Sequence, residues 1–479
     1  MRVLAIDQGT SATKAVVFGD DGETLASVEA AVTPRAVPGG GVEQDPEQLW
    51  DSICAAGREA IAHAGGSVTA VGFANQGETV LAWDRGTGRP LSTAISWQDR
   101  RAATICTDLA PQAAQLTRTT GLPLDPYFAA PKMTWLRRHV TDEGVVTTSD
   151  AWLVHRLTGA FVTDVTTASR TMLLDLERRA WSPEACAAFG LDGEDLPLVV
   201  GSAQEIGHTD VFGPPLALSG LSVDQQAALV GEHCLEPGES KCTYGTGAFL
   251  LANAGARPFI SSAGLAVSVA WQAGAEAAYC IDGQVYAAGA AVAWLCRWGF
   301  LRRAEDLDRV AGSVRDGGGV TVVPALSGLG APWWRPDALA TIEGIAPGTE
   351  PAHVVRATVE GLAAQVTLLA RATATDLGRP LAVLRVDGGL TRSRMLMQTQ
   401  ADLLQIPVEV ASSPHATAAG VAALARLGAG EGTGLADVVP PALASTRYEP
   451  AIGAAEADER LRRFEHAVAR LTGGPETVP

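Results

Sequence analysis

The sequence predicts an α/β protein of two domains, and three observations carry that expectation. At 479 residues the chain is too long for one hydrophobic core and suits two domains of roughly 200 residues or a little more. Its opening pattern of apolar strand, glycine-bearing turn and apolar strand returns near the middle, after Glu236-Pro237-Gly238. The second half then alternates extended and helical patterns, as an α/β domain does. The domains expected are residues 1–232 and 233–479.

The elements follow in order. Val3 to Ile6 and Thr13 to Phe18 are apolar runs joined by Asp7-Gln8-Gly9-Thr10, and Gly19-Asp20-Asp21-Gly22 turns into a third strand, which makes a β-meander. Asp45-Pro46 starts a helix: aspartate accepts from free first-turn amides and proline needs no amide partner there. Leu49, Ile53, Ala56 and Ala60 mark its buried stripe. A short apolar strand spans Val68 to Phe73. In the second half, Ser240 to Thr243, the turn Tyr244-Gly245-Thr246-Gly247 and Ala248 to Ala252 repeat the opening device. Pro351 opens a long helix with Val355, Val359, Leu362, Val366 and Leu369 on one face. The strand Leu381 to Val386 ends in Asp387-Gly388-Gly389; a helix from about Ser393 to Leu404, a strand Val408 to Val410 and a last helix Thr417 to Leu427 follow. Pro324 to Trp334 reads as a Gly/Pro loop with exposed indoles, and Gly473 to Pro479 as a disordered tail.

Composition narrows the function. A hydrophobic fraction of 47% with 19% charged residues is that of an ordinary soluble globular protein. A formal charge of -17 argues against nucleic acid, which needs a basic stripe. No apolar run reaches the ~18 residues of a membrane span, and Met1-Arg2 leads into an apolar stretch too short for a signal peptide. A cytoplasmic protein is expected. The seven cysteines form no Cys-x-x-Cys pair, so they read as reduced packing residues, neither zinc ligands nor disulfides.

The segment Gly72 to Glu78, running on through Trp83-Asp84-Arg85 to Trp97-Gln98-Asp99-Arg100-Arg101, sets amides, carboxylates, indoles and guanidinia beyond a strand end. Ligands of open α/β sheets bind there. A molecule rich in hydroxyls needs a hydrogen-bond partner for each OH and a flat apolar face for its C–H surface, which Glu78 and Trp97 supply together. The two Gly/Thr turns can aim backbone amides at an anion; Asp7 could hold Mg²⁺ through its waters and Lys14 could meet phosphate charge. With Asp387-Gly388-Gly389 ending a strand where adenosine could lie, these turns make a case for ATP in a cleft between two similar domains. Asp224, in Ser222-Val223-Asp224-Gln225-Gln226, opens a helix and reads either as an N-cap or as the base that takes a hydroxyl proton in phosphoryl transfer.

These residues together resemble the FGGY carbohydrate kinases, the glycerol kinases most closely. The matches run along nearly the whole chain: Asp7-Gln8-Gly9-Thr10, Asn75-Gln76-x-Glu78-Thr79, Ala94-Ile95-x-Trp97-Gln98, Asp125-Pro126-Tyr127-Phe128, Thr163 to Leu173, Asp224-Gln225-Gln226-Ala227-Ala228, Thr243 to Gly247 and Arg385 to Gly389. Two family signature stretches match at Lys132 to Leu136 and at Gly344-Ile345 with His353 to Glu360.

The resemblance implies an actin-like (RNase H-like) two-domain ATPase fold with ATP, Mg²⁺ and a polyol or sugar meeting in the interdomain cleft. It implies Asp224 as general base, Asp7 beside the metal, and Thr10, Ser11, Lys14, Thr246, Gly247, Gly289 and Gly389 on the nucleotide. Gly77, Glu78, Trp97, Tyr127, Asp224, Gln225 and Phe249 would hold the acceptor, with Trp97 and Phe249 flanking its carbon chain and Tyr127 closing one end. The expected activity is phosphorylation of a primary hydroxyl of glycerol, in a protein that binds neither nucleic acid nor membrane and forms a homodimer or homotetramer. One departure stands out: Gly77 occupies the place of an arginine in glycerol kinases. Either Arg100 or a water replaces that donor, or the vacated volume admits a longer polyol or ketose such as erythritol, threitol, xylulose or ribulose. Ala293 and Ser393 also replace polar residues on the nucleotide side. A non-catalytic sugar sensor is the rival reading of another class.

Overall fold

Each half of the chain opens with antiparallel strands joined by a glycine turn and then adds two parallel strands. A computed structural model describes residues 1–440 and 444–473; the tail beyond Gly473 lies outside the described residues. The first half supplies β1 (Val3–Gln8), β2 (Ala12–Phe18), β3 (Thr24–Ala31), helix α1 (Pro46–Ala64), β4 (Ala70–Asn75), helix α2 (Ala129–His139), β5 (Ala203–Thr209), β6 (Leu216–Val223) and helix α3 (Asp224–Gly231). Their sheet runs β5-β6-β4-β1-β2-β3, with β4 parallel to both β1 and β6.

The second half supplies β7 (Ser240–Tyr244), β8 (Ala248–Gly255), β9 (Ala266–Ala273), β10 (Glu276–Val285), helix α4 (Gly289–Arg297), helix α5 (Pro351–Leu377), β11 (Leu384–Asp387), helix α6 (Arg394–Leu404), β12 (Val408–Ala411), helix α7 (Ala416–Gly428), β13 (Ala444–Tyr448) and helix α8 (Ala454–Thr472). Its sheet runs β9-β10-β8-β7-β11-β12-β13. The order β3-β2-β1-β4-β6 in one sheet is matched by β10-β8-β7-β11-β12 in the other. The repeat visible in sequence as two glycine turns is therefore a repeat of topology, the actin-like arrangement.

Local chemistry accounts for these elements. Asp45 caps α1 by accepting from the Glu47 amide at 3.0 Å, and Leu49, Ile53, Ala56 and Ala60 are buried. The five expected apolar residues of α5 are buried as well. The strand expected at Val68 to Phe73 is displaced to Ala70–Asn75, because its pairing with β1 runs from Val3 opposite Ala70 to Gln8 opposite Asn75. The chain does not end on α7: α8 follows, with Ala457, Leu461, Phe464 and Val468 buried along one stripe of an otherwise charged helix. The indoles of the 324–334 loop are half-buried, not exposed; Trp334 donates to the Gly264 carbonyl at 2.6 Å and packs against Phe128.

One long-range contact fixes the site. Helix α7 crosses back to the first sheet, where Ala418, Val421, Ala422 and Ala425 share a buried cluster with Val3, Ala5, Ala70 and Ala74. It also crosses α3 so closely that a Cβ on Gly420 would lie 1.7 Å from the Ala227 carbonyl oxygen, and one on Gly231 would lie 1.9 Å from that of Ala416. Only glycine permits that approach. Helix α3, which begins with Asp224, is thereby held between the halves.

Candidate active site

The carboxyl ends of β1, β4, β6 and β7 open into one cavity of about 300 Å³. The residue types expected of a site follow each strand end: Thr10 and Ser11 after β1, Gly77 and Glu78 after β4, Asp224 and Gln225 after β6, Thr246 after β7. Asp7, Lys14, Trp97, Tyr127 and Phe249 line it too.

At one end the cavity is aromatic and carboxylate-rich. The rings of Trp97 and Phe249 lie 5.7 Å apart at 79°, and those of Trp97 and Tyr127 5.9 Å apart at 80°. They touch edge to face and so form one apolar corner. The Trp97 indole donates to Thr10 Oγ1 at 2.8 Å, tying that corner to the first turn. Tyr127 is held from behind by Lys132, which is fully buried and donates to the carbonyls of Pro126 at 3.0 Å, of Phe128 at 2.6 Å and of Tyr127. Burial pulls the Lys132 ammonium down to about 7, with nearby carboxylates opposing the shift. Glu78 is buried with its backbone at φ 58°, and accepts from Arg170 Nε at 2.7 Å. Burial raises its carboxyl while Arg170 lowers it, leaving a net rise.

The other end carries the two turns. In the first, Gly9 donates to the Ala12 carbonyl at 3.0 Å, and Gln44 donates to that of Thr10 at 2.8 Å. Asp7 and Lys14 pair across β1 and β2. Burial pushes the Asp7 carboxyl up to about 6, with Lys14 opposing and Asp387 adding to the rise. In the second turn, Gly245 and Thr246 accept from the amides of Gly289 at 3.0 Å and Ala288 at 2.9 Å, so the start of α4 sits directly behind it. Gly388, at φ +93°, approaches so closely that a Cβ would stand 2.5 Å from the Tyr244 carbonyl oxygen. Gly247, Gly289 and Gly389 do not line the cavity; Gly289 packs behind the second turn and Gly389 follows its neighbour Gly388. Ser393 is engaged elsewhere, capping α6 through the Leu396 amide at 3.0 Å and donating to Asp308.

Asp224 stands between the two ends. It is the first residue of α3, while the cap position belongs to Val223. Its Oδ1 accepts from the Gln225 amide at 2.7 Å. Burial pushes its carboxyl up to about 7, and the charges of Asp7 and Glu78 push the same way against Lys241. Lys241 donates to Gln225 at 2.6 Å and Thr243 at 2.8 Å, joining the two halves beneath the cavity.

Part of the sequence reading points elsewhere. Asn75 and Gln76 are buried below the cavity, Asn75 accepting from Thr167 and Gln76 donating to Gln44. Trp83 belongs to the core, donating to Thr147 at 2.9 Å, because the chain forms another strand there, Val80–Trp83. Arg85 pairs with Asp195 at the surface. Arg100 does not replace the missing donor at Gly77: it pairs with Asp125 at 3.0 Å and lies over the Tyr286 ring. Val223 lines the cavity beside Gly77, its Cγ2 2.9 Å from where a Cβ on that glycine would be. Sequence reasoning also missed Arg170, Asp282, Thr243 and Lys241. The stretches containing Arg170 and Thr243 match the family, yet Arg170 finds Glu78 only 92 residues away along the chain, while Lys241 bonds Thr243 two residues on from it.

The donor set suits a hard cation. The charge of Asp387 raises the Asp7 carboxyl and that of Asp7 raises the Asp224 carboxyl, and Asp387 Oδ1 is buried without a partner. A Mg²⁺ ion typically takes one or two carboxylates and keeps its waters and substrate phosphates. No cluster of three or more His, Cys, Asp or Glu able to hold a metal alone occurs among the described residues, and no described helix is long and apolar enough to cross a membrane.

Comparison with known proteins matches residues 2–231 to the N-terminal domain of the FGGY family of carbohydrate kinases and residues 240–429 to its C-terminal domain. The chain is 40% identical to a glycerol kinase of Alkalilimnicola ehrlichii and 41% identical to one of Thermus brockianus, covering 98% of both chains in each case. It also superimposes on the Plasmodium falciparum glycerol kinase solved with ADP, with a TM-score of 0.88 and 29% identity over 98% of each chain. The chain belongs to the FGGY family of carbohydrate kinases.

Proposed function

We propose that this kinase transfers the terminal phosphoryl group of ATP to a primary hydroxyl of glycerol, giving glycerol 3-phosphate and ADP. One observation carries the reading: Asp224, its carboxyl pushed up to about 7, shares one cavity with the Glu78–Trp97 corner and with both glycine turns. A base at that value is half ionised near neutrality, where proton abstraction is most effective. Its carboxylate takes the hydroxyl proton as the new O–P bond forms and the bond from the γ-phosphorus to the β,γ-bridging oxygen breaks. The amides of Thr10 and Ser11 and of Gly245 and Thr246, with Lys14, bind the phosphates. Asp7, with Asp387 near it, would hold Mg²⁺, which supplies charge neutralisation on the phosphate oxygens. Glu78 accepts from acceptor hydroxyls while Trp97, Tyr127 and Phe249 cover the carbon chain and exclude water, a competing nucleophile.

The longer-acceptor reading draws no support from position 77, since Val223 takes the space beside that glycine. A division of the chain near residue 232 fits the end of α3 at Gly231 and the start of β7 at Ser240. The test is ADP release with glycerol, erythritol, threitol, xylulose and ribulose offered in parallel. Glycerol should give the highest kcat/KM; ATP turnover indifferent to every polyol would reject the proposal.

A further inference from the structure

We propose that Asp282 and Arg170 form a hydroxyl-binding pair at the acceptor end of the cavity, and that this pair selects an uncharged polyol by reading a hydroxyl that is not phosphorylated. The inference rests on the polyol kinase reading and adds to it two residues, one of them from the second half of the chain. Both side chains line the cavity and both are only 3% exposed. Asp282 lies on β10 and Arg170 follows the short helix Val165–Ala168 of the first half, so the pair bridges the two.

The pair is incompletely satisfied. Arg170 Nη1 is 2.6 Å from Asp282 Oδ2, yet it makes no aligned hydrogen bond, and Asp282 Oδ1 has no partner. Gln284, on the same face of β10, lies close enough to Asp282 to lower its carboxyl, but neither of its amide atoms makes an aligned hydrogen bond. Buried polar groups are rarely left in that condition, because each open valence is costly. A hydroxyl both donates and accepts; one placed here would donate to Asp282 Oδ1 and accept from Arg170. A purely structural ion pair has no need of such open valences beside a cavity.

Other candidates for the role are excluded. Gly77 offers no side-chain donor, and Arg100 is engaged with Asp125, which leaves Arg170 as the one guanidinium lining the cavity among the described residues. Glu78 and Asp282 outnumber it in charge, and Asp224 stands nearby. That balance repels a carboxylate- or phosphate-bearing acceptor and suits a neutral polyol.

The test compares glycerol with 1,2-propanediol, which lacks one hydroxyl, in the wild type and in Asp282→Asn. A site built around a hydroxyl rejects the deoxy analogue strongly because its own polar groups are then stranded. In Asp282→Asn the preference for glycerol should shrink by about 10-fold or more, through a higher KM for glycerol, with ADP affinity unchanged. If that variant does not fold, Asp282→Glu keeps the charge and the arginine partner but advances the carboxylate by one methylene. It should raise the glycerol-to-erythritol preference by about 5-fold or more, on the ~10-fold worth of a methylene in a pocket. A preference unchanged in the folded variant overturns the inference and leaves the kinase reading intact. A wild-type protein that phosphorylates no polyol overturns both.

Discussion

Two turns of one design line the cavity from the two halves of the molecule, Asp7-Gln8-Gly9-Thr10-Ser11-Ala12 and Thr243-Tyr244-Gly245-Thr246-Gly247-Ala248, and they differ in what they carry. Each joins the first two strands of its sheet, and each has Gly-Thr at its centre. The first has a carboxylate at Asp7, a cation at Lys14 and an indole bonded to Thr10. The second has Thr243 where the first has Asp7, and α4 packed behind it. The backbone device is thus shared, while the charge is placed differently: the first side carries Asp7 and Lys14 on its own hairpin, and the second has Lys241 bonded to Thr243 and Asp387 on the neighbouring strand. On the proposed reaction, the first turn would manage charge and the second would hold phosphate through amides and hydroxyls.

The largest expected effect lies where the two turns meet the acceptor. Asp224→Asn should lower kcat by about 10²–10⁴ while ADP binding by calorimetry stays within about threefold, since Asn keeps the helix and its volume. Asymmetry between the turns comes next. Asp7→Asn should lower kcat by about 10²–10³ and raise the Mg²⁺ requirement, whereas Thr243→Val at the equivalent place should cost no more than about 10-fold, the worth of one hydrogen bond. Equal losses in the pair would break the comparison. Trp97→Phe keeps the aromatic corner and removes the donor to Thr10; about 1 kcal/mol for that bond translates to about a fivefold rise in the KM for glycerol, read by steady-state kinetics.

A smaller effect should appear in stability. Burial holds Asp7 at about 6 and Asp224 at about 7, both above the ordinary carboxylate value of ~4 in an unfolded chain. Their contribution to stability is complete below about pH 4 and is lost as pH rises through these folded values. The ligand-free protein should therefore lose a stabilising contribution between about pH 4 and pH 7, and Asp224→Asn should recover part of it, raising Tm at pH 8 by about 1–3 °C. A Tm for the variant below wild type at pH 8 would show that the carboxylate does not strain the folded state.

Much of this was legible in the sequence because its signals are local. Asp45-Pro46 starts α1 whatever lies around it, and a glycine turn between two apolar runs makes a hairpin in either half. The strand ends could be read too, so the residues just past them, Thr10, Glu78 and Asp224, were found. What escaped depends on distance along the chain. Arg170 matters because it meets Glu78 and Asp282, 92 residues and more than a hundred positions away. Trp83 and Trp97 look alike in sequence, yet one ends a core strand and the other turns into the cavity. Helix α7 was recognised as a helix, but only its crossing of α3 at Gly231 and Gly420 reveals that it packs on the first sheet.

The central claim is that Asp224 takes the proton. It is tested most directly by the pH dependence of kcat/KM for glycerol at saturating ATP, measured for wild type and for Asp224→Asn. Wild type should fall by about tenfold per pH unit below an apparent pKa near 7, and the residual activity of the variant should lack that limb. A wild-type profile flat between pH 5.5 and 8, or the same limb persisting in the variant, would contradict it.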